Sequence, residues 1–276
     1  MPFLVRAQAG TSQSDSREQQ LPPEFEVASV KRNSNTPSGR MTFQASAGGR
    51  LTVENMPLRL LLQHAYGVRP FQISGGPAWM DSERYDIAAK AGGPVPEKQV
   101  VGPMLQALLQ NRFGLKLHRE MKESPLFNLT QASVGKLRTS KSAGCENALP
   151  LASSSGTPPL PCHQVVLWMS PTGVRLRGEQ ANTGQLAVTL ASILGRAVID
   201  QTNFAGTFDL DVEVSLDGLD ALMDALGVRS PTTQSPDNTA PSIFTALPQQ
   251  LGLKLTAGRG PVELLVIDHV ERPSEN

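Results

Sequence analysis

Residues 113–117 read FGLKL and residues 251–255 read LGLKL, with the two glycines at 114 and 252. A repeated phrase restricts a chain to architectures that can use one supersecondary unit twice. The match extends without a gap, from PMLQALLQNRFGLKL beginning at Pro103 to PSIFTALPQQLGLKL beginning at Pro241. Upstream, RYDIAAKA pairs with TFDLDVEV, and GRLTVENMPLRLLLQHAYG with VRLRGEQANTGQLAVTLASILG. Downstream, SPLFNLTQA pairs with GPVELLVIDHV. The order is the same in both halves. The expectation is an α+β fold of two tandem similar units, each of mixed strands with two helices. Residues 23–133 form unit 1 and residues 164–272 form unit 2, which carries a loop at 229–241. Residues 134–163 are a Pro/Ser-rich linker, and residues 1–22 are a disordered leader.

Periodicity supplies the elements. FEVASVK opens the first unit as a strand and QVVLWMS opens the second. Leu51 and Val53, or Val174 and Leu176, mark the next strand. Asn55 is expected to cap a helix with Pro57 in its first turn, where a missing N–H costs nothing. Leu58, Leu61, Leu62 and Ala65 share one face of that helix, and Gly67 ends it. In the second unit Asn182 is the cap, Leu186, Leu190, Ile193 and Leu194 are the stripe, and Gly195 is the stop. FQIS and AVID follow as strands, then YDI and FDL. The second helices carry Val101, Met104, Leu105, Leu108 and Leu109, or Ile243, Phe244, Leu247 and Leu251. Gly114 and Gly252 close them, and two strands finish each unit.

Composition limits the function classes. No apolar run reaches the roughly eighteen residues that span a bilayer, so the given chain has no transmembrane segment. Net charge is zero, divided as 17 Lys+Arg against 11 Asp+Glu in residues 1–138 and 8 against 14 in residues 139–276. That balance gives no basic excess for nucleic acid. The two cysteines, Cys145 and Cys162, lie in a Pro/Ser/Gly-rich stretch that suits a disulfide and an oxidising compartment. Residues 2–5 are a short apolar stub, and Ala7-Gln8-Ala9 matches a signal-cleavage pattern. Export, periplasmic or secreted, with a truncated signal peptide is the expectation. A disordered N-terminus is the alternative.

Chemistry is sparse. No Gly-x-Ser-x-Gly elbow, phosphate loop or His-Glu-x-x-His motif occurs. His64, His118, His163 and His269 are scattered, and His64 reads as a packing residue on a helix. Ser133 to Lys136 has Ser-x-x-Lys spacing but lacks the accompanying elements of penicillin-recognising enzymes. Asp209, Asp211 and Glu213 share one strand face. A calcium loop drawn from Asp209 to Asp220 fails at Val214, where a sharp turn needs Gly. Gly75, Gly76 and Pro77 force a turn ahead of Trp79. Those four residues are the candidate binding positions, because a Trp on a turn can anchor a ligand; its ordinary role is covering a core edge. Asp81, Glu83 and Asp86 are the acids that a carboxylate enzyme would use. No catalytic residue, metal ligand or cofactor is assigned.

The phrases FEVASVK, GGPAWMDSERYDIAAK, LGRAVIDQTNFAGTFDLDVEV and the ending from PSIFTALPQQLGLKL onward resemble a large family of soil-associated bacterial proteins of unknown function. The resemblance spans the chain from Phe25. It implies an exported domain, one also found appended to membrane metallopeptidases of the β-lactam-sensor type, and brings no catalytic residues with it. The given residues carry no zinc motif of that peptidase, so peptidase activity is not expected of them. The expected function is therefore a non-catalytic binding or sensing module of the cell envelope, with an unknown envelope ligand or protein partner. The alternatives are an envelope hydrolase with an unfamiliar carboxylate site, and an assembly protein that pairs through a sheet edge.

Overall fold

The computed structural model describes residues 23–34, 40–133, 135–140, 162–170, 173–215 and 240–273. The fold is α+β. No helix among the described residues is long and apolar enough to cross a membrane.

The first half runs β1 (Val27–Asn33), β2 (Thr42–Ala45), β3 (Arg50–Pro57), α1 (Leu58–Tyr66), β4 (Ile73–Gly75), α2 (Trp79–Ser82) and β5 (Arg84–Lys90). It continues through α3 (Glu97–Gln99), a wide π turn (Val100–Met104), α4 (Leu105–Phe113) and β6 (Lys116–Gln131). The second half runs β7 (Gln164–Ser170), β8 (Gly173–Ala181), α5 (Thr183–Leu194), β9 (Ala197–Asp200) and β10 (Phe208–Val214). It ends with α6 (Ile243–Ala246), a π turn (Leu247–Leu251) and β11 (Leu253–His269).

Three sheets result, in the orders β1-β5-β3-β2, β10-β8-β7 and β4-β11-β6-β9. The third is shared by the halves. β6 and β11 pair antiparallel along their whole length, β4 lies parallel to β11, and β9 lies parallel to β6. Each half thus lends its short strand to the other half's long one. The cores follow the same exchange. The first gathers Leu58, Leu62, Tyr85, Leu109 and Phe113 and is completed by Leu265 and Ile267 from β11. The second gathers Leu186, Leu190, Phe208, Ile243 and Leu253 and is completed by Leu129 from β6.

Both repeated glycines take left-handed backbone, with φ 56° at Gly114 and 67° at Gly252. Gly252 is further restricted, because a Cβ there would meet Lys136 Cβ at 2.7 Å and Ser133 O at 2.9 Å. Lys136 Nζ donates to the carbonyls of Pro248 and Gln249 at 3.4 and 3.0 Å, capping the end of that helical segment. The Ser-x-x-Lys spacing is therefore part of a helix cap.

The shared YDI and FDL phrases have an equally specific cause. β3 and β8 each bulge just before their helix, and the bulge residues Asn55 and Gln180 have φ of 55° and 49°. Left-handed non-glycine backbone costs about 1–3 kcal/mol unless its surroundings hold it. Here the Asn55 N–H donates to Asp86 Oδ1 at 2.8 Å and the Gln180 N–H to Asp209 Oδ1 at 2.9 Å. Asn33 Nδ2 and Ser140 Oγ add donors to the same two carboxylates at 2.9 and 2.8 Å.

Three expectations change. Asn55 belongs to the β3 bulge, and the residue preceding α1 is Pro57, with no side-chain cap; Asn182 does cap α5, in a reciprocal pair with Gln185 at 2.8 Å each way. The place of β1 in the second half is taken by residues 137–140, where Thr139 bridges Phe208 and Leu137 enters the second core as Val30 enters the first. QVVLWMS forms β7 on the far side of β8, as β2 lies beside β3. Finally, each half closes on one long strand rather than two. Pro125 and Pro261 do not break these strands because β9 reaches only Leu126 and β4 only Leu265, so both prolines lie where the ribbon has two strands.

Replacing Asp209 by Ala is expected to cost about 1–3 kcal/mol in urea denaturation, by stranding the bulge N–H. Asp86→Ala should cost a similar amount, whereas Glu54→Ala, on an exposed side chain of β3, should stay within about 0.5 kcal/mol.

Candidate functional site

The distinctive turn serves packing. β4 brings Gly75 opposite Ile267, and a Cβ on Gly75 would meet the Ile267 carbonyl at 3.2 Å. Gly76, at φ 83°, lies over Met80, whose sulfur would stand 2.5 Å from an added Cβ. Pro77 then starts α2, its carbonyl accepting from the Met80 N–H at 3.1 Å. Trp79 is half-buried against the first core, edge-on to Tyr85 at 6.5 Å, with the Arg272 guanidinium 5.1 Å above its ring. Its exposed side is thus closed by the chain's own C-terminal segment.

The three acids near Trp79 do not converge. Asp81 accepts from Arg59 Nε at 2.7 Å. Asp86 holds the β3 bulge. The Glu83 side chain is 11% exposed and receives Arg272 Nη2 at 2.9 Å, the Tyr85 hydroxyl at 3.0 Å and Arg32 at 3.4 Å. The Arg272 hydrogen bond holds the Glu83 carboxyl below the ordinary range. Burial, then Glu83, pushes the Tyr85 hydroxyl up to about 12. A general acid needs a carboxyl shifted upward, so this arrangement is an anchor for the C-terminal segment.

The remaining sequence candidates are also occupied. His64 stacks on Phe43 at 4.2 Å, and burial lowers its pKa. His118 contacts Asp268 at 2.9 Å, and that hydrogen bond raises its pKa. On β10, Asp211 is paired with Arg175 and Arg177, and Glu213 accepts from Ser170 Oγ at 2.7 Å. Asp220, Cys145 and the 229–239 part of the second loop lie outside the described residues. Among the described residues no group of His, Cys, Asp and Glu could hold a metal.

A concavity lies on the face of the central sheet turned away from both cores. Side chains alternate along β11, so Leu265 and Ile267 enter the first core while Val262, Leu264 and Val266 point to the other face. There Val262, Leu264 and Leu126 form a third apolar cluster with Phe71 and Ala197. Val262, Leu264, Phe71 and Ala197 of this cluster floor a groove of about 300 Å³. The short strands set its sides, Ser74 from β4 at one edge and Arg196, after the Gly195 cap of α5, at the other. Lys122 and Ser124 of β6 complete the lining, which contains no carboxylate. Glu120 is the next acid on that face of β6, in register with Leu264. Lys122 has no ion-pair partner among the described residues, and the Arg196 guanidinium lies 5.8 Å from the Phe127 ring centre. Chemically, this is an apolar floor with one cation, Lys122, and two hydroxyls at its rim.

No contiguous motif announces the groove, because its lining comes from four separated segments. One signal in the sequence points there: ELLVID has apolar residues in consecutive positions, and Leu264 and Leu265 are 8% and 1% exposed. A strand buried on both faces carries a second layer of packing.

Arg272→Ala should raise the Glu83 pKa and lower stability near neutral pH. A carboxyl whose folded pKa is depressed stabilises the fold above its ordinary value of 4.5, and that contribution fades as pH falls through the folded value. Urea denaturation near neutrality should therefore separate the variant from the parent, and the two should converge in acid.

Searches of curated proteins and of solved structures each return no match. A family profile described as "Protein of unknown function (DUF3738)" matches residues 59–270. That span contains every residue lining the central groove, whereas β1, β2 and β3 precede it. The chain belongs to this family of proteins of unknown function.

Proposed function

We propose that the chain is an exported, non-catalytic binding or sensing module of the cell envelope, and that its ligand is a small amphiphilic anion held in the central groove. The observation that carries this reading is the lining itself: apolar floor, Lys122 at the rim, no carboxylate, with strands from both halves contributing. Small-molecule sites are mostly apolar concavities with a few convergent polar groups, and range over about 300–1,000 Å³. At about 300 Å³ the groove suits a medium-length chain with one anionic head. The separately partnered Asp81, Glu83 and Asp86 give no support to hydrolysis. Gly75, Gly76, Pro77 and Trp79 act in this reading by fixing β4, which forms one wall.

Export draws support from the cysteines. Cys162 is 5% exposed, and no cysteine among the described residues is free. The proposed partner is Cys145. Intact mass spectrometry of protein from the envelope fraction should find it lighter by two hydrogens than the reduced chain; a fully reduced mass there would sink the disulfide.

Decanoate is the first ligand to test by titration calorimetry, with decanol as the uncharged comparator. Decanoate should bind, and Lys122→Ala should weaken it about tenfold or more, because the change removes the rim charge and spares the floor. Equal binding of decanol, or an unchanged affinity in the variant, would overturn the site.

A further inference from the structure

A second surface stands apart from the groove and rests on different observations. The outer face of the β1-β5-β3-β2 sheet is not covered by either core. Register places side chains there in rows across the strands. Ser29, Ala88 and Thr52 form one row of small residues, continued by Gln44 of β2. Val27, Lys90 and Arg50 form the row on one side, and Lys31 and Asp86 lie on the other, beside Glu54. Small residues between long ones leave a trough. Its two lobes, about 510 and 340 Å³, meet at Thr52 and Ala88. The distance between its flanking rows is four residues, or roughly 13 Å.

The cations of this face are unpaired among the described residues, unlike their counterparts. Lys31, Arg40, Arg50 and Lys90 line the trough, and none has an ion pair or side-chain hydrogen bond among the described residues. On the corresponding face of the β10-β8-β7 sheet, Arg175 and Arg177 are closed onto Asp211 and Ser170 onto Glu213. The same position in the fold is thus self-satisfied in one half and open in the other.

We propose that this trough binds an acidic, hydroxyl-rich glycan, one bearing uronate carboxylates. Adjacent Arg50 and Lys90, with no acid in their row, meet a carboxylate. Glu54, Thr52 and Ser29 in the other lobe offer acceptors and donors for hydroxyls. Two acids beside the cations oppose a dense polyphosphate. The trough lining has no aromatic side chain, so the stacking platform that single-stranded nucleic acid uses is missing. A polypeptide strand would seek a sheet edge rather than a sheet face. Mixed hydroxyl chemistry with spaced carboxylates satisfies all these constraints together.

The test is titration calorimetry of the full chain with a linear oligogalacturonate, at low and at physiological salt. A neutral cello-oligosaccharide and polyglutamate serve as comparators. Oligogalacturonate should bind at least about tenfold tighter than either and weaken with salt. Arg50→Ala with Lys90→Ala, both exposed, should reduce that affinity about tenfold, while Arg50→Lys with Lys90→Arg should retain most of it. Decanoate binding should be unchanged in both double variants, which separates this surface from the central groove. Failure of oligogalacturonate to bind, an unaffected alanine variant, or polyglutamate binding as tightly would each overturn the assignment, the last in favour of a simple docking patch for acidic protein.

Discussion

The antiparallel pairing of β6 with β11 is the interaction on which everything else depends. Sixteen register pairs join the strands, from Leu253 and Gln131 at one end to His269 and Lys116 at the other. One ribbon supplies apolar residues to both cores, on the same face, and floors the groove on the other. A two-stranded ribbon alone is marginal in water. Here its edges are covered near each end by a strand from the opposite half, and its inner face is packed at both ends. Neither half has a complete core without the other's contribution.

The sequence was most readable where local rules decide. Helix stripes such as Leu58, Leu61, Leu62 and Ala65, and stops at Gly67, Gly114, Gly195 and Gly252, need only periodicity and left-handed backbone, and they appear where the pattern places them. Reading failed where a distant partner overrides the local signal. Asn55 has the composition of a helix cap, but the Asp86 carboxylate, 31 positions away, captures its N–H and keeps it in a strand bulge. The short stretch 137–140 carries a single apolar residue, too little for a strand on pattern alone, yet it finds the edge of β10 through Thr139. Proline ordinarily breaks a strand, but the third dimension leaves the nitrogens of Pro125 and Pro261 at an uncovered edge.

The groove and the trough differ in what the alphabet can say about them. The trough is built of alternate residues in three strands, and its small row could be read once register is known. The groove needs the strand exchange, which no pattern in either half contains. Trp79 illustrates the reverse error. Its rarity and its setting after two glycines attract attention, whereas Arg272, which closes its face, lies in a featureless tail. The anchoring charge was invisible because it comes from 193 residues further on.

Strand exchange also dictates an order of events. Leu265 and Ile267 belong to the first core, so that core cannot close until β11 has left the ribosome. The usual sequence, in which an N-terminal domain folds while the remainder is still being made, is closed to this chain. Its longest-range pairings must form late and against a large loop-closure cost, which slows folding. The nascent polypeptide is consequently held open until β11 is made, with the hydrophobic faces of α1 and α4 unsatisfied. A chain with that topology depends on whatever binds unfolded polypeptide in the interval between its first and its final strand.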